Sequence, residues 1–175
     1  MTGSGSAEQW RKALEGVTRL SFVTQHPYVF LVWAPGLSAD VTPPVVSQQL
    51  SFHTQVHGAQ IKQHIQASTA SSDEVLVLPL RKAPGNPFPE RISVGRAPNC
   101  DIVFRDPSVS KLHGHFRAVT ADSAVFTDSK SANGTRLNGA TVAAGAAVEV
   151  KSFSYLIFGR IRVQLLASAD VYDWL

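Results

Sequence analysis

From about residue 74 to residue 167 the chain breaks into many short runs rich in β-branched and aromatic residues. These are Val75 to Leu80, Arg91 to Val94, Asp101 to Phe104, Gly114 to Val119, Ser123 to Asp128, Thr135 to Leu137, Ala147 to Val150, Tyr155 to Phe158 and Ile161 to Leu165. Gly, Asn, Asp or Pro stands at nearly every gap, and no helical pattern of roughly 10–15 residues intervenes. Runs this short cannot bury an apolar face alone, and connections this short favour antiparallel neighbours. The pattern therefore predicts a mainly β chain built on an antiparallel sandwich or barrel.

The residues before this block read differently. Met1 to Ser6 is rich in Gly and Ser, and Trp10, Ala13, Leu14, Val17 and Leu20 recur at helical spacing, which predicts one amphipathic helix from Ala7 to about Arg19. Pro27 interrupts, and the apolar run Tyr28 to Trp33 predicts a strand that requires a partner surface. Ala34 to Pro44 reads as a linker, and Ser47 to Gln66 as a helix through Leu50, His57, Ile61 and His64, weakened by Gly58. Ala67 to Asp73 reads as a boundary. Three parts are expected: an N-terminal α+β segment over 1–73 whose role the sequence leaves open, the β-sandwich over 74–167, and a tail over 168–175. Tyr172, Trp174 and Leu175 predict that the tail docks, either on the N-terminal segment or on a second copy of the chain.

At 44% hydrophobic and 17% charged residues, the chain is neither a polyelectrolyte nor wholly disordered. Its longest apolar stretch, Tyr28 to Ala34, falls well short of the ~20 residues of a membrane helix, and no leader pattern opens it. A soluble cytoplasmic protein with no membrane insertion is the expectation. Cys100 is the only cysteine, so neither an internal disulfide nor a cysteine-rich zinc site is available. Residues 1–73 carry four Lys/Arg and four Asp/Glu, and the remaining 102 residues carry twelve and nine, so the whole net charge of +3 lies in the β part. Arg96, Arg105, Lys111 and Arg117 cluster there with His113 and His115, which suggests an anion-binding face.

The loops between the predicted strands carry the candidate chemistry. Arg96 presents the planar paired donors that match two phosphate oxygens, Ser110 offers a hydroxyl, and Lys111 adds a point charge. The amide of Asn133 offers donor and acceptor together, as needed to grip an extended peptide backbone. In order, GRAPNCDIVF, DPSVSKLHGHF and SANGTRLNG, with the phenylalanine-glycine of SYLIFG, resemble the forkhead-associated (FHA) family, whose pattern is Gly-Arg, Ser-x-x-His, Asn-Gly-Thr and Asn-Gly.

The resemblance covers about 74–167 and implies a sandwich of two twisted sheets whose loops bind phosphothreonine peptides, without catalysis or cofactor. It assigns Arg96, Ser110 and Lys111 to the phosphate, Asn133 to the peptide main chain, and Ser108 to the choice of a residue following the phosphothreonine. It makes His113 a buried brace of the binding loops, with Thr135 and Asn138 as structural members and Gly95, Gly134 and Gly139 as backbone devices. The implied role is an adaptor, of bacterial type, whose partner is a phosphothreonine-containing protein: a serine/threonine kinase or its substrate. One departure is plain, for Ala132 stands where family members often carry a hydroxyl. The absence of that donor weakens phosphate binding about tenfold to a hundredfold unless Ser131 or Lys111 compensates.

Other readings compete. Ala132 and the large appendage suit a phosphate-independent scaffold using another face. Ser110, His113 and Asp106 are residue types of a hydrolase triad, but no G-x-S-x-G elbow surrounds the serine. His53, His57 and His64 could align on a helix, yet no carboxylate or thiolate accompanies them, so no metal is expected. The basic span lacks interleaved aromatics, which argues against nucleic acid.

Overall fold

The computed structural model describes residues 4–34 and 75–175. The helix predicted over 47–66, the three histidines on it, most of the Ala34 to Pro44 linker and the boundary at 67–73 lie outside the described residues.

The β part folds into two packed sheets. Strands β1 (Gly5–Ser6), β2 (Phe30–Trp33), β3 (Leu76–Pro79), β8 (Thr135–Leu137), β9 (Ala140–Val142), β11 (Tyr155–Phe158) and β12 (Ile161–Leu166) form a seven-stranded sheet in the order β1-β3-β2-β12-β11-β8-β9. Strands β4 (Ile92–Gly95), β5 (Ile102–Val103), β6 (Gly114–Arg117), β7 (Ser123–Asp128) and β10 (Ala147–Lys151) form a five-stranded sheet in the order β10-β7-β6-β4-β5. All pairings are antiparallel except that of β4 with β5. Alternation drives the packing: along β7, Ala124, Phe126 and Asp128 are buried while their neighbours are half-buried. Leu31, Val94, Phe116, Phe126, Leu156, Phe158, Val163 and Leu165 meet between the sheets as the main core.

The strand β2 is not part of a separate N-terminal unit. It lies between β3 and β12, with Leu31 opposite Leu78 on one side and Leu165 on the other. The expected division at 73/74 is therefore crossed by one continuous sheet. This position explains why Tyr28 to Trp33 does not alternate. Leu31 points into the sandwich core, while Phe30 and Val32 face the opposite side and pack in a second cluster.

Three short helices cover that second side. Helix α1 (Ala7–Ala13) starts at a capping box in which Ser6 and Gln9 bond each other's backbone N–H groups. The single helix predicted from Ala7 to Arg19 stops early because the chain turns at Gly16 with φ 78°. It restarts as α2 (Arg19–Gln25), capped by Thr18. The tail forms α3 (Ser168–Trp174). Trp10, Phe22, Val171 and Trp174 bury against Phe30, Val32, Val77 and Leu166, giving a helix layer on the outer face of the larger sheet. The tail docks on the N-terminal segment of its own chain: Arg19 pairs with Asp173 at 2.8 Å and the Tyr172 hydroxyl donates to the Val17 carbonyl at 2.8 Å. Among the described residues no helix is long and apolar enough to cross a membrane.

Candidate phosphate-binding loops

Three loops converge at one end of the sandwich: 96–101 after β4, 104–113 before β6, and 129–134 between β7 and β8. The first two are laced together through the backbone. Arg96 N–H donates to the Ser110 carbonyl at 2.9 Å, Ala97 N–H to Lys111 at 3.0 Å, and His113 N–H to Val94 at 2.8 Å. Gly95 makes this approach possible, since a Cβ there would sit 2.2 Å from the Lys111 carbonyl oxygen. The Arg96 side chain is exposed, and its Nε–H donates to the Val109 carbonyl at 3.1 Å. That bond fixes the guanidinium's position and leaves its Nη hydrogens without an acceptor among the described residues. Lys111 is exposed beside it.

His113 organises the inner side of this end. It is fully buried, its Nδ1 accepts the Ser110 N–H at 3.2 Å, and its Nε2 lies 3.2 Å from the Gly134 carbonyl. An accepting Nδ1 requires the neutral tautomer with hydrogen on Nε2, so Nε2 donates to Gly134. Burial lowers the His113 pKa, against the opposing pull of Asp128 and the Gly134 bond. One ring thus ties the serine loop to the Asn-Gly loop.

Asp128 anchors the third loop from beneath. Its carboxylate accepts from the Ser131 N–H at 2.8 Å, the Ser131 hydroxyl at 2.7 Å and the Thr135 hydroxyl at 2.6 Å. Burial pushes this carboxyl up, but the Thr135 and Ser131 bonds outweigh it and hold it below the ordinary range. Gly134 then takes φ 70°. The two-residue turn Asn138-Gly139, with φ 50° and 88°, closes the β8–β9 hairpin, and Asn138 Oδ1 accepts the Tyr155 N–H at 2.9 Å.

Ser110, half-buried at the junction, accepts the Ala132 N–H on its Oγ at 2.9 Å, which leaves the hydroxyl hydrogen free to donate. Asn133 is exposed; its Nδ2 donates to the Ser108 carbonyl at 2.8 Å, leaving Oδ1 and a second N–H outward. Ser108 itself is heavily engaged. Its hydroxyl donates to Asp106 at 2.7 Å and accepts the Arg160 N–H at 3.0 Å, while Arg160 pairs with Asp106 at 2.9 Å. Ser108 therefore braces the loop, tied to Asp106 on one side and Arg160 on the other. Ser131 cannot make up for Ala132, because its hydroxyl is held by Asp128.

The geometry also disposes of the triad reading. His113 receives the backbone N–H of Ser110 rather than its hydroxyl, and Asp106 bonds Ser108 and Arg160. No group of three His, Cys, Asp or Glu among the described residues could hold a metal ion.

A family model for the FHA domain matches residues 92–159, the stretch that contains all three loops. The chain carries a forkhead-associated domain. No curated protein matches the chain. Among solved structures, the FHA domain of FhaA, complexed with the intracellular domain of Rv3910, is 21% identical with a TM-score of 0.42, covering 51% of this chain and 86% of that one. The MEK1 FHA domain, complexed with a phosphothreonine peptide of HOP1, is 25% identical with a TM-score of 0.42, covering 52% and 87%. The FHA domain of CT664 from Chlamydia trachomatis is 16% identical with a TM-score of 0.46, covering 79% and 96%. In this FHA domain the family's four motifs fall on the loops and turns just described. Asp106, Asp128 and Arg160 were missed as members of the site. One signal was present for Asp128: it closes an alternating strand on the inward side, where a carboxylate requires dedicated donors.

Proposed function

We propose that this chain is a phosphothreonine-peptide-binding adaptor of serine/threonine kinase signalling, acting in the cytoplasm, whose ligand is a phosphorylated kinase or kinase substrate. One observation carries the reading. The Nη groups of Arg96 and the hydroxyl hydrogen of Ser110 have no acceptor among the described residues, on loops joined by a 2.9 Å backbone bond. Fixed donors with no acceptor among the described residues suit a dianionic phosphate, and Lys111 adds charge beside them. The outward Oδ1 and N–H of Asn133 suit the peptide main chain. Calorimetry with a threonine peptide and its phosphothreonine twin tests this. Binding should require the phosphate, and Arg96→Ala should weaken it about tenfold to a hundredfold, as loss of charge-assisted bonds does. Equal affinity for both peptides favours the second reading, a phosphate-independent scaffold, which Ala132 supports by removing a donor from the loop.

A further inference from the structure

Beside the phosphate loops a groove of about 660 Å³ opens on the outer face of the five-stranded sheet. Its floor includes Ser93 of β4 and His115 of β6, which are register partners. One wall is the segment 83–88 and the other the segment 97–100. Both walls are fixed by a buried carboxylate. Asp101 accepts the Ala83 N–H at 2.8 Å, the Asn86 amide at 2.8 Å and the Lys82 ammonium at 3.0 Å. It also accepts the Ser93 N–H and hydroxyl, each at 2.7 Å. The groove is thus built in advance of any ligand.

Its lining is chemically one-sided. The described residues contain three exposed large hydrophobic side chains, and two of them, Phe88 at 59% and Leu112 at 51%, line this groove. Its ionisable members other than Cys100 are Arg91, Lys111 and His115, and no carboxylate is among its lining residues. It is continuous with the phosphate loops, since Lys111 borders both and Leu112 follows Ser110 by two residues, about 7 Å of extended chain. An apolar, cationic trough running away from a phosphate site matches the flank of the same phosphorylated peptide.

We propose that this groove receives the chain flanking the phosphothreonine, seating a bulky apolar side chain of the partner between Phe88 and Leu112. The inference rests on the phosphothreonine reading of Arg96 and Ser110. The occupant is a peptide with Leu, Ile, Val or Phe two to five residues from the phosphothreonine and without Lys or Arg beside it.

The test uses the full chain and a peptide library with a fixed phosphothreonine and five degenerate positions on each side. The retained pool should be enriched in bulky apolar residues at one flanking position and depleted of Lys and Arg next to it. Phe88→Ser and Leu112→Ser, both at exposed positions, should each erase the enrichment. Each should also weaken the selected peptide about tenfold, the effect of one apolar side chain losing its cover. Binding of an alanine-flanked phosphothreonine peptide should be unchanged. Phosphate-dependent binding with no apolar enrichment, or enrichment that survives both substitutions, overturns the groove and leaves the phosphate reading intact. Binding indifferent to the phosphate and to Arg96→Ala overturns both. A concentration-dependent dimer lost in Phe88→Ser assigns the groove to a second copy and likewise overturns the proposal.

Discussion

Ala132 contributes only its backbone to the site, through the N–H that meets Ser110 Oγ at 2.9 Å. Its side chain is exposed, so a hydroxyl can be added there without disturbing the core. Ala132→Thr should therefore raise affinity for a phosphothreonine peptide about tenfold with little change in melting temperature, measured by calorimetry and thermal unfolding. His113 offers the opposite experiment. Its ring holds the Ser110 N–H and the Gly134 carbonyl inside a fully buried site. His113→Ala leaves both groups unpaired beside a cavity and should cost about 2–4 kcal/mol in urea unfolding, with phosphopeptide binding reduced as well. At this scale much was legible in the sequence. Arg96, Ser110 and Asn133 have side chains whose chemistry announces itself on a turn. Asp106 and Asp128 do not announce theirs: Asp106 bonds Ser108 two residues on but reaches Arg160 only in the fold, and Asp128 gathers Ser131 and Thr135 once its strand turns it inward.

Among the elements, strands with clean alternation were readable, and Ser123–Asp128 has the bounds that its pattern predicts. The hairpin partner Ala140–Val142 was not, since its burial is exposed, exposed, buried and it holds its place by pairing with Thr135–Leu137. Helix α2 was hidden for a related reason: its apolar contact is chiefly Phe22, and a seven-residue helix with one buried position has no periodicity to detect. Aromatic composition marked the tail as a docking element, but the surface it covers was settled by Phe30 and Val32 facing outward from the larger sheet. Trp174 is 3% exposed in that layer. Trp174→Ala should destabilise the chain by about 3–5 kcal/mol and expose dye-binding apolar surface, while the remote phosphate loops retain their affinity for a phosphothreonine peptide. An unchanged urea midpoint would show that the helix layer contributes nothing to stability.

Across the whole molecule, the buried histidines set the response to acid. His26, against Trp10, Phe22, Phe30 and the Tyr28 hydroxyl at 2.7 Å, is held below its ordinary pKa by burial first and by nearby positive charge second. His113 and His115 shift the same way, again chiefly through burial. The unfolded chain therefore takes up protons that the folded one refuses, and stability present above the unfolded value of 6.5 declines as pH falls below it. Asp101, Asp106 and Asp128, all held low by their hydrogen bonds against burial, add a second decline below 3.8. The melting temperature should be flat just above neutrality, drop through the range below pH 6.5, and fall again in strong acid. His26→Gln should lessen the first drop.

The position of β2 has a consequence for synthesis. Its two neighbours in the sheet are separated by about half of the sequence: β3 begins at Leu76, but β12 is complete only at Leu166. During translation Phe30–Trp33 has one edge waiting for a strand that the ribosome has not yet made, and the helix layer has no α3 to close it. The larger sheet can therefore seal only after Leu166 has emerged, and pairing so distant in sequence is slow. A nascent chain stalled before Ile161 should remain protease-sensitive around Phe30 and bind chaperone, whereas one with Ile161–Leu166 and Ser168–Trp174 clear of the ribosome should resist.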